Sequence, residues 1–385
     1  MLKKYTMRKQ YVFLFTLIFI IMSVTSGDAF AQGHHYLIVG TYAPANENSL
    51  FVYKFNDATG EAQKISKVST TENPSFFCLS ADHRFLYAVS ETHGGEGGQV
   101  AAYHFDKKTG QLKKLNEVLS KGDDPCYIHL DKTGRWLFVA NYSSGSLAVF
   151  PVEKNGEVGK ASQVIEHHGH SIHLPQQGEA HVHCTLPSPD NKYLLVADLG
   201  MDKIFTYDFN DKTGHLKPAN PPYVEVTAGT GPRHLLFSEN AKYVYAIHEL
   251  GDRITVFKND HGKLSEEQTI STAPPGFKQR NWAAEIQFSP DGKFLYAANR
   301  DPLNDIVVYK VDEKNGKLTY LNRYSTGGKT LRYFMLSPNG KFVLIGQRNG
   351  PDILMYQRDA ETGLLKLLEQ KIPVNDAVCM AMIPE

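Results

Sequence analysis

The 385-residue sequence has little cysteine and no excess of charge of either sign. Its four cysteines are too few for a scaffold built on disulfides. Its 41 basic residues are balanced by 41 acidic residues, which argues against nucleic acid as the main partner, because such proteins usually carry a basic excess. A hydrophobic content of 42% and an aromatic content of 11% exclude a disordered chain. What remains is a folded protein with a large core.

Long apolar runs are also lacking, except near the N-terminus. Residues 1–10 contain basic residues and no acidic residue, the apolar run 11–24 follows, and Ala29-Phe30-Ala31 matches a cleavage signal. The run is shorter than the roughly 20 residues that span a bilayer. We therefore predict a signal peptide over 1–31, cleaved after Ala31, with a retained anchor as the alternative. The mature domain, 32–385, is expected in the periplasm or outside the cell, without stable membrane insertion.

An internal repeat of about fifty residues organises the rest of the chain. A short apolar run, a polar turn such as Ser289-Pro290-Asp291-Gly292-Lys293 and a second apolar run recur six times, which is a hairpin signal. A second hairpin is marked by a glycine that recurs seven times. These glycines are Gly60, Gly110, Gly156, Gly214, Gly262, Gly316 and Gly363.

Two hairpins per repeat give four antiparallel strands, so we predict an all-β, seven-bladed β-propeller with four antiparallel strands per blade. Half-copies of the first hairpin lie at the two ends of the repeat region, at Tyr36–Tyr42 and Ala377–Ile383. Pairing of these N- and C-terminal strands would complete the seventh blade and close the ring, which removes open sheet edges.

The first hairpin of each blade predicts where a site must lie. The start of its first strand and the end of its second strand share one end of the blade, so these positions converge around one mouth of the central channel. The first-strand position holds Ser75, Cys126, His183, Arg233, Ala284 and Arg332. The second-strand position holds Tyr42, Glu91, Tyr142, Leu199, Glu249, Arg300 and Arg348. Guanidinium groups bind carboxylate and phosphate oxygens well, so the arginines at these positions favour an anionic ligand. The alternative is that they form salt bridges between blades.

Several motifs carry a family resemblance that covers the whole mature chain. They include His181-Val182-His183, Gly231-Pro232-Arg233-His234, His248-Glu249-Leu250 and Ala298-Asn299-Arg300. Together they resemble the seven-bladed propeller lactonases, the family of the propeller-type bacterial 6-phosphogluconolactonase and the fungal carboxy-cis,cis-muconate cyclase. The resemblance implies a lactone-processing site with His183, Arg233, Glu249 and Arg300 as catalytic residues, and no metal or cofactor.

Hydrolysis of a sugar lactone to its aldonic acid is the function that we expect. His183 would be the general base, Arg233 and Arg300 would hold the oxyanion and product carboxylate, and Glu249 would orient the histidine or an arginine. The expected substrate contacts are His181, Arg332, Arg348, Tyr42 and Tyr142, with Arg332 on a distal anionic group. The expected partner is a small anionic sugar lactone or related acid, bound by a monomer. A lactone-forming cycloisomerase and a non-catalytic propeller that binds an anionic ligand or a protein remain alternatives.

Metal sites are the other alternative. Six histidines lie between residues 167 and 183, next to Cys184, and His and Cys are zinc ligands. No His-Glu-x-x-His pattern accompanies them, and we interpret the segment as a loop entering the mouth. Calcium is a second possibility, with Asn141, Asp198, Asn299 and Glu249 as ligands. We predict neither metal, and we expect the four cysteines to fill the core without a disulfide.

Overall fold

The computed structural model describes residues 33–44, 46–69, 71–95 and 97–385. The predicted signal peptide, 1–31, and its cleavage site lie outside these residues. Within the described part of the chain, no helix has the length and apolar character needed to cross a membrane.

Seven four-stranded sheets, here called blades I to VII, make up the described residues. Blade I contains β1 (His34–Thr41), β2 (Leu50–Asn56), β3 (Ala62–Val68) and β28 (Ala377–Pro384). Blade II contains β4 (Phe77–Leu79), β5 (Phe85–Ser90), β6 (Gln99–Asp106) and β7 (Gln111–Leu119). Blade III contains β8 (Pro125–Leu130), β9 (Trp136–Asn141), β10 (Ser146–Pro151) and β11 (Gln163–Glu166).

The other four blades follow the same plan. Blade IV contains β12 (Val182–Pro187), β13 (Tyr193–Asp198), β14 (Lys203–Asn210) and β15 (His215–Glu225). Blade V contains β16 (Pro232–Phe237), β17 (Tyr243–His248), β18 (Arg253–Asp260) and β19 (Lys263–Ser271). Blade VI contains β20 (Ala283–Phe288), β21 (Phe294–Asn299), β22 (Asp305–Val311) and β23 (Leu318–Ser325). Blade VII contains β24 (Leu331–Leu336), β25 (Phe342–Gln347), β26 (Asp352–Arg358) and β27 (Leu365–Pro373).

The predicted propeller is confirmed, including the way in which it closes. Neighbouring strands of each blade are antiparallel, and in blade I the order is β28-β1-β2-β3. His35 pairs with Pro384 and Gly40 pairs with Cys379, so the two ends of the described chain form one sheet. The innermost strands contact each other around the ring and line the channel.

Burial falls from the second strand of a blade to its outer edge. All residues of β13 are buried, whereas most residues of β15 in the same blade are exposed or half-buried. A second strand has neighbours on both faces, so its sequence is almost continuously apolar, as in Tyr193–Asp198. Packing between neighbouring blades therefore forms the core.

Seven glycine–aromatic contacts join each blade to its neighbour. Gly156 of blade III has φ +88°, and a Cβ atom there would lie 2.2 Å from the Phe85 ring of blade II. Only glycine, which has no Cβ atom, allows both the positive φ and this close approach. The same contact recurs between Gly60 and Phe342, Gly110 and Tyr36, Gly214 and Trp136, Gly262 and Tyr193, Gly316 and Tyr243, and Gly363 and Phe294.

Candidate active site

β-Bulges position the side chains at the mouth. In β12 and β16 the pairing with the second strand slips by one residue, and the extra residues are His183 and Arg233. The same slip leaves Cys126 unpaired in β8 and Arg332 in β24. A bulge bends its strand and re-aims the unpaired side chain. Four of the six first-strand positions identified in the repeat are therefore residues that a bulge leaves unpaired.

The four predicted catalytic residues meet at one carboxylate oxygen. Oε2 of Glu249 accepts from Nε of Arg233 at 2.9 Å and lies 2.8 Å from Nη2 of Arg300. Nε2 of His183 lies 3.8 Å from the same oxygen. Arg233 is 2% exposed and Arg300 is 13% exposed, so two cations share one anion with little access to water.

Burial and charge together set the protonation states of this cluster. Burial raises the pKa of Glu249, but the charges of Arg300 and Arg233 outweigh it and lower that pKa to about 2. Burial, reinforced by the charge of Arg332, lowers the pKa of Arg233 to about 10. Burial and then Arg233 hold the pKa of His183 well below its ordinary value of 6.5. At neutral pH the cluster therefore has two cations, one anion and a neutral imidazole.

Aromatic and thiol groups fix the His183 ring. The ring of Tyr142 meets it edge-on at 5.5 Å and stacks on His181 at 4.4 Å with an interplanar angle of 9°. Nδ1 of His181 lies 3.0 Å from the Tyr142 carbonyl oxygen, to which it donates. The Cys126 sulfur lies 3.7 Å from Nδ1 of His183, and burial raises the pKa of Cys126 well above its ordinary value, so the group is a thiol.

A second cluster at the mouth surrounds Glu91. The Tyr42 hydroxyl donates to Oε1 of Glu91 at 2.6 Å, Ser75 also donates to this carboxylate, and Nη2 of Arg332 lies 3.5 Å from Oε2. The guanidinium carbons of Arg332 and Arg348 lie 5.2 and 4.5 Å from the centre of the Tyr42 ring. Burial lowers the pKa of Arg332, but Tyr42 and Glu91 reverse the effect, so the pKa is raised and the group stays charged.

The wall beside Arg300 comes from the connection between blades V and VI. The Trp282 carbonyl accepts from the backbone N–H of Arg300 at 2.7 Å. The guanidinium carbons of Arg280 and Arg300 lie 4.2 and 5.7 Å from the Trp282 ring. A cation over an indole face is stabilised by the ring quadrupole, so Trp282 supports both arginines.

Comparison with known proteins identifies the family. The family model described as lactonase, 7-bladed β-propeller matches residues 36–382. The chain belongs to the seven-bladed β-propeller lactonase family. Over 352 residues it is 34% identical to the 6-phosphogluconolactonase of Formosa agariphila, which covers 90% of this chain and 99% of that protein. It is 30% identical over 347 residues to the 6-phosphogluconolactonase of Bacillus subtilis, at 90% and 97% coverage.

A solved structure of a lactonase also matches. The periplasmic gluconolactonase of Pseudomonas aeruginosa is 34% identical and superimposes with a TM-score of 0.87, over 91% of this chain and 99% of that chain. The resemblance seen in the sequence motifs is therefore confirmed at the level of the family and of the fold.

In this lactonase the histidine-rich segment does not form one cluster. His167 is buried between Asp198 at 2.7 Å and the Tyr207 hydroxyl at 2.8 Å, whereas His168 and His170 are exposed. Only His181 and His183 contact the mouth residue Tyr142. Among the described residues, no group of three or more His, Cys, Asp or Glu side chains is arranged to hold a metal ion.

The side chains considered for calcium are engaged in loop contacts. Asp198 accepts from the backbone N–H groups of His181 and Met201. Nδ2 of Asn141 lies 3.2 Å from the Ser120 carbonyl, and Nδ2 of Asn299 lies 2.8 Å from both the Thr272 carbonyl and Asp305. The four cysteines are free thiols in innermost strands; Cys126, Cys184 and Cys379 are buried and Cys78 is half-buried.

The sequence pattern missed some residues of the lactonase mouth. Glu91 was in the second-strand position but was not assigned a role, although its carboxylate binds Tyr42 and Arg332. Trp282 lies outside the repeat and carried no signal. Glu285 and His234, below Arg233, were also missed. A glutamate among the apolar residues of an innermost strand, as in Ala283–Phe288, is the signal that would have drawn attention to Glu285.

Proposed function

We propose that this lactonase hydrolyses a sugar lactone to its aldonic acid at the mouth described above. One observation carries the proposal: the buried Arg233 and the half-buried Arg300 share one Glu249 oxygen beside a neutral His183. The relatives named 6-phosphogluconolactonase and periplasmic gluconolactonase support lactone hydrolysis as the reaction class.

His183 is the general base in this proposal. Lactone hydrolysis needs a water molecule that loses a proton as it attacks the carbonyl carbon. A base must be unprotonated at working pH, and the depressed pKa of His183 keeps its imidazole neutral. Oε2 of Glu249 is already engaged by Arg233 and Arg300, so it is not free to take a proton from water. Its role is to fix the two arginines.

The arginines stabilise the charge that develops on the substrate. Attack on the carbonyl creates an oxyanion, and ring opening creates a carboxylate. A guanidinium has five N–H donors, and Glu249 engages Nε of Arg233 and Nη2 of Arg300, which leaves other donors of each group for substrate oxygens. Cations in a site with little water act more strongly than they would in solvent.

The distal part of the substrate lies against the second cluster. Glu91 neutralises part of the charge of Arg332, whereas Arg348 is exposed and stacked on Tyr42. We assign Arg332, Arg348 and Tyr42 to a distal hydroxyl or anionic group of the lactone. His181 and Tyr142, stacked on each other beside His183, form the opposite wall.

We also propose that the enzyme acts outside the cytoplasm. The basic, apolar and small-residue pattern of residues 1–31 supports export, and a structural neighbour is named a periplasmic gluconolactonase. N-terminal sequencing of protein recovered from the periplasmic and culture fractions tests this, because cleavage after Ala31 gives a chain that begins at Gln32.

A proton-release assay with a panel of free and phosphorylated aldonolactones tests the reaction. We expect rates well above spontaneous hydrolysis, and a fall of at least about a hundredfold in kcat/KM for His183→Asn, the size typical of a lost general base. His129→Asn is the matched control, since His129 also lies on an innermost strand and its ring contacts the Leu130 carbonyl. Full turnover in His183→Asn would refute the role of His183. The absence of catalysis with every lactone would favour a binding propeller.

A further inference from the structure

Below the Glu249 cluster, the channel contains a second buried pair of ionisable groups that the proposed reaction does not use. Nδ1 of His234 lies 3.2 Å from Oε2 of Glu285, and the two side chains are 5% and 7% exposed. The rings of Phe76 and Tyr127 cover His234, with centres at 5.8 and 5.1 Å. Burying ionisable groups among aromatic rings is costly, so the pair needs an explanation.

Direct contacts connect this pair to Arg233. Nη1 of Arg233 lies 3.1 Å from Nε2 and 3.3 Å from Nδ1 of His234, and it donates to the Ala284 carbonyl at 2.8 Å. The other side of the guanidinium donates to Glu249. Arg233 is thus held from above by Glu249 and from below by His234 and the strand that contains Glu285.

Glu285 sets where the His234 ring carries its proton. Burial and then the charge of Arg233 hold the pKa of His234 well below 6.5, so the ring is neutral and has one N–H. An ionised Glu285 can only accept, which draws that proton to Nδ1. With the proton on Nε2 instead, two acceptors would face each other and the contact with Glu285 would be lost. Nη1 of Arg233 is almost equally far from both ring nitrogens, so it lies over the face of the ring that Glu285 holds in place.

We propose that Glu285 and His234 are positioning residues for the proposed lactonase reaction. The Glu285 carboxylate fixes the His234 proton on Nδ1 and so holds the ring, and the face of that ring supports the Arg233 guanidinium and aims it at the substrate. The inference rests on the proposed function only in that Arg233 contacts the lactone.

A pH dependence follows from this arrangement. Burial raises the pKa of Glu285 to about 7. The phenol and thiol groups around Glu285 and His234 stay uncharged near neutral pH, because burial raises the pKa of each. They belong to Tyr127, Tyr333, Cys184 and Cys379. As the pH falls through about 7, Glu285 takes up a proton, so it no longer holds Nδ1–H of His234 as an acceptor, and Arg233 loses the negative charge on this side. His183 ionises well below this range.

The first test compares pH–rate profiles of the full-length wild type, Glu285→Gln and Gln287→Met. We expect wild-type kcat/KM to fall by about tenfold per pH unit below an inflection near pH 7. Glu285→Gln should lose this inflection and lower kcat by roughly ten- to a hundredfold, with a smaller change in KM. Gln287, two residues further along β20 and bonded to the Phe334 carbonyl, is the control, and its variant should keep the inflection.

The second test does not depend on activity. In protein labelled with ¹⁵N-histidine, the ring nitrogen shifts report the tautomer of His234, whose signals are assigned by their loss in His234→Gln. We expect the Nδ1–H form at pH 8 in the wild type and a change centred near pH 7 that Glu285→Gln removes. An Nε2–H form at pH 8, or wild-type kcat with an unchanged inflection in Glu285→Gln, would overturn the inference. If the wild type hydrolyses no lactone, the proposed function fails, while the NMR measurement still decides the tautomer.

Discussion

The Nε atom of Arg233 donates to Oε2 of Glu249 across 2.9 Å, and this bond joins the first strand of blade V to the residue that follows its second strand. Arg300, from the next blade, approaches the same oxygen at 2.8 Å. The proposed catalytic cluster is thus also a structural link between two blades.

Glu249→Gln should destabilise the fold by about 3 kcal/mol, since removing the anion of a buried pair leaves uncompensated charges. The folded pKa of about 2 lies below the usual value of about 4.3 for glutamate in an unfolded chain. The carboxylate therefore contributes fully at neutral pH, and its contribution is lost as the pH falls from about 4 towards 2. Urea unfolding at pH 7 measures the loss.

The control is Glu225→Gln, which removes an exposed carboxylate 3.8 Å from Nζ of Lys203 and should cost less than about 1 kcal/mol of stability. Equal losses in both variants would contradict the prediction.

Gly156→Ala should destabilise the protein far more than Gly134→Ala. Both glycines have positive φ, +88° and +69°, but a Cβ at Gly156 would strike Phe85, whereas a Cβ at Gly134 meets nothing within 4 Å. The control therefore isolates the backbone strain, of order 1 kcal/mol. Overpacking should add about 1–3 kcal/mol in Gly156→Ala. Denaturant titration of both variants checks the difference, and similar midpoints would show that the blades separate to admit a methyl group.

Tyr42→Phe should weaken substrate binding with little effect on turnover. The variant removes the hydroxyl that donates to Glu91 and leaves that carboxylate free to bind Arg332 more tightly. We expect KM to rise roughly threefold to tenfold, in line with the net loss of one ordinary hydrogen bond. Tyr36→Phe serves as the control, because the Tyr36 hydroxyl donates to the Lys107 carbonyl at 2.9 Å in a turn of blade II. A fall in kcat at constant KM would instead place Tyr42 at the reacting bond.

Trp282 should report ligand binding through its fluorescence. The chain has two tryptophans, and Trp136 donates its indole N–H to the Asp211 carbonyl on the turn side of blades III and IV. Binding of an aldonate to Arg300 changes the charge beside the Trp282 ring. We expect a saturable change in emission in the wild type and in Trp136→Phe, and none in Trp282→Phe. The same titration curve in all three proteins would disprove this placement of the ligand.

The repeat made the fold predictable from the sequence. Each blade offers the same hairpin turn and the same glycine, so seven weak signals reinforce one another, and the two half-copies at Tyr36–Tyr42 and Ala377–Ile383 indicated the closure that β1 and β28 form. The mouth was predictable for a related reason. Equivalent positions that vary between copies, such as those of His183 and Arg233, predicted side chains that the structure brings together at the mouth.

The same alignment could not show which residue of a bulge enters the channel. In β20 the slip covers two residues, Ala284 and Glu285. Counting back from the turn placed Ala284 at the first-strand position, while Glu285 reaches His234 in the channel. Trp282 was missed because it lies on a connection between blades, whose length differs from repeat to repeat. Local register and loop paths depend on three-dimensional packing that the pattern does not contain.

The pairing of β1 with β28 also sets an order of events during synthesis. β1 is among the first strands of the propeller to be translated, yet its partner is among the last, and Glu385 donates its backbone N–H to the His34 carbonyl at 3.1 Å. Closing a loop of this length has a high entropic cost and is slow compared with hairpin formation. Blades II to VII can assemble as their residues emerge from the ribosome, but blade I is completed only after Ala377–Pro384 has emerged. A nascent chain stalled before residue 377 would thus expose the inner edge of β1 to other proteins.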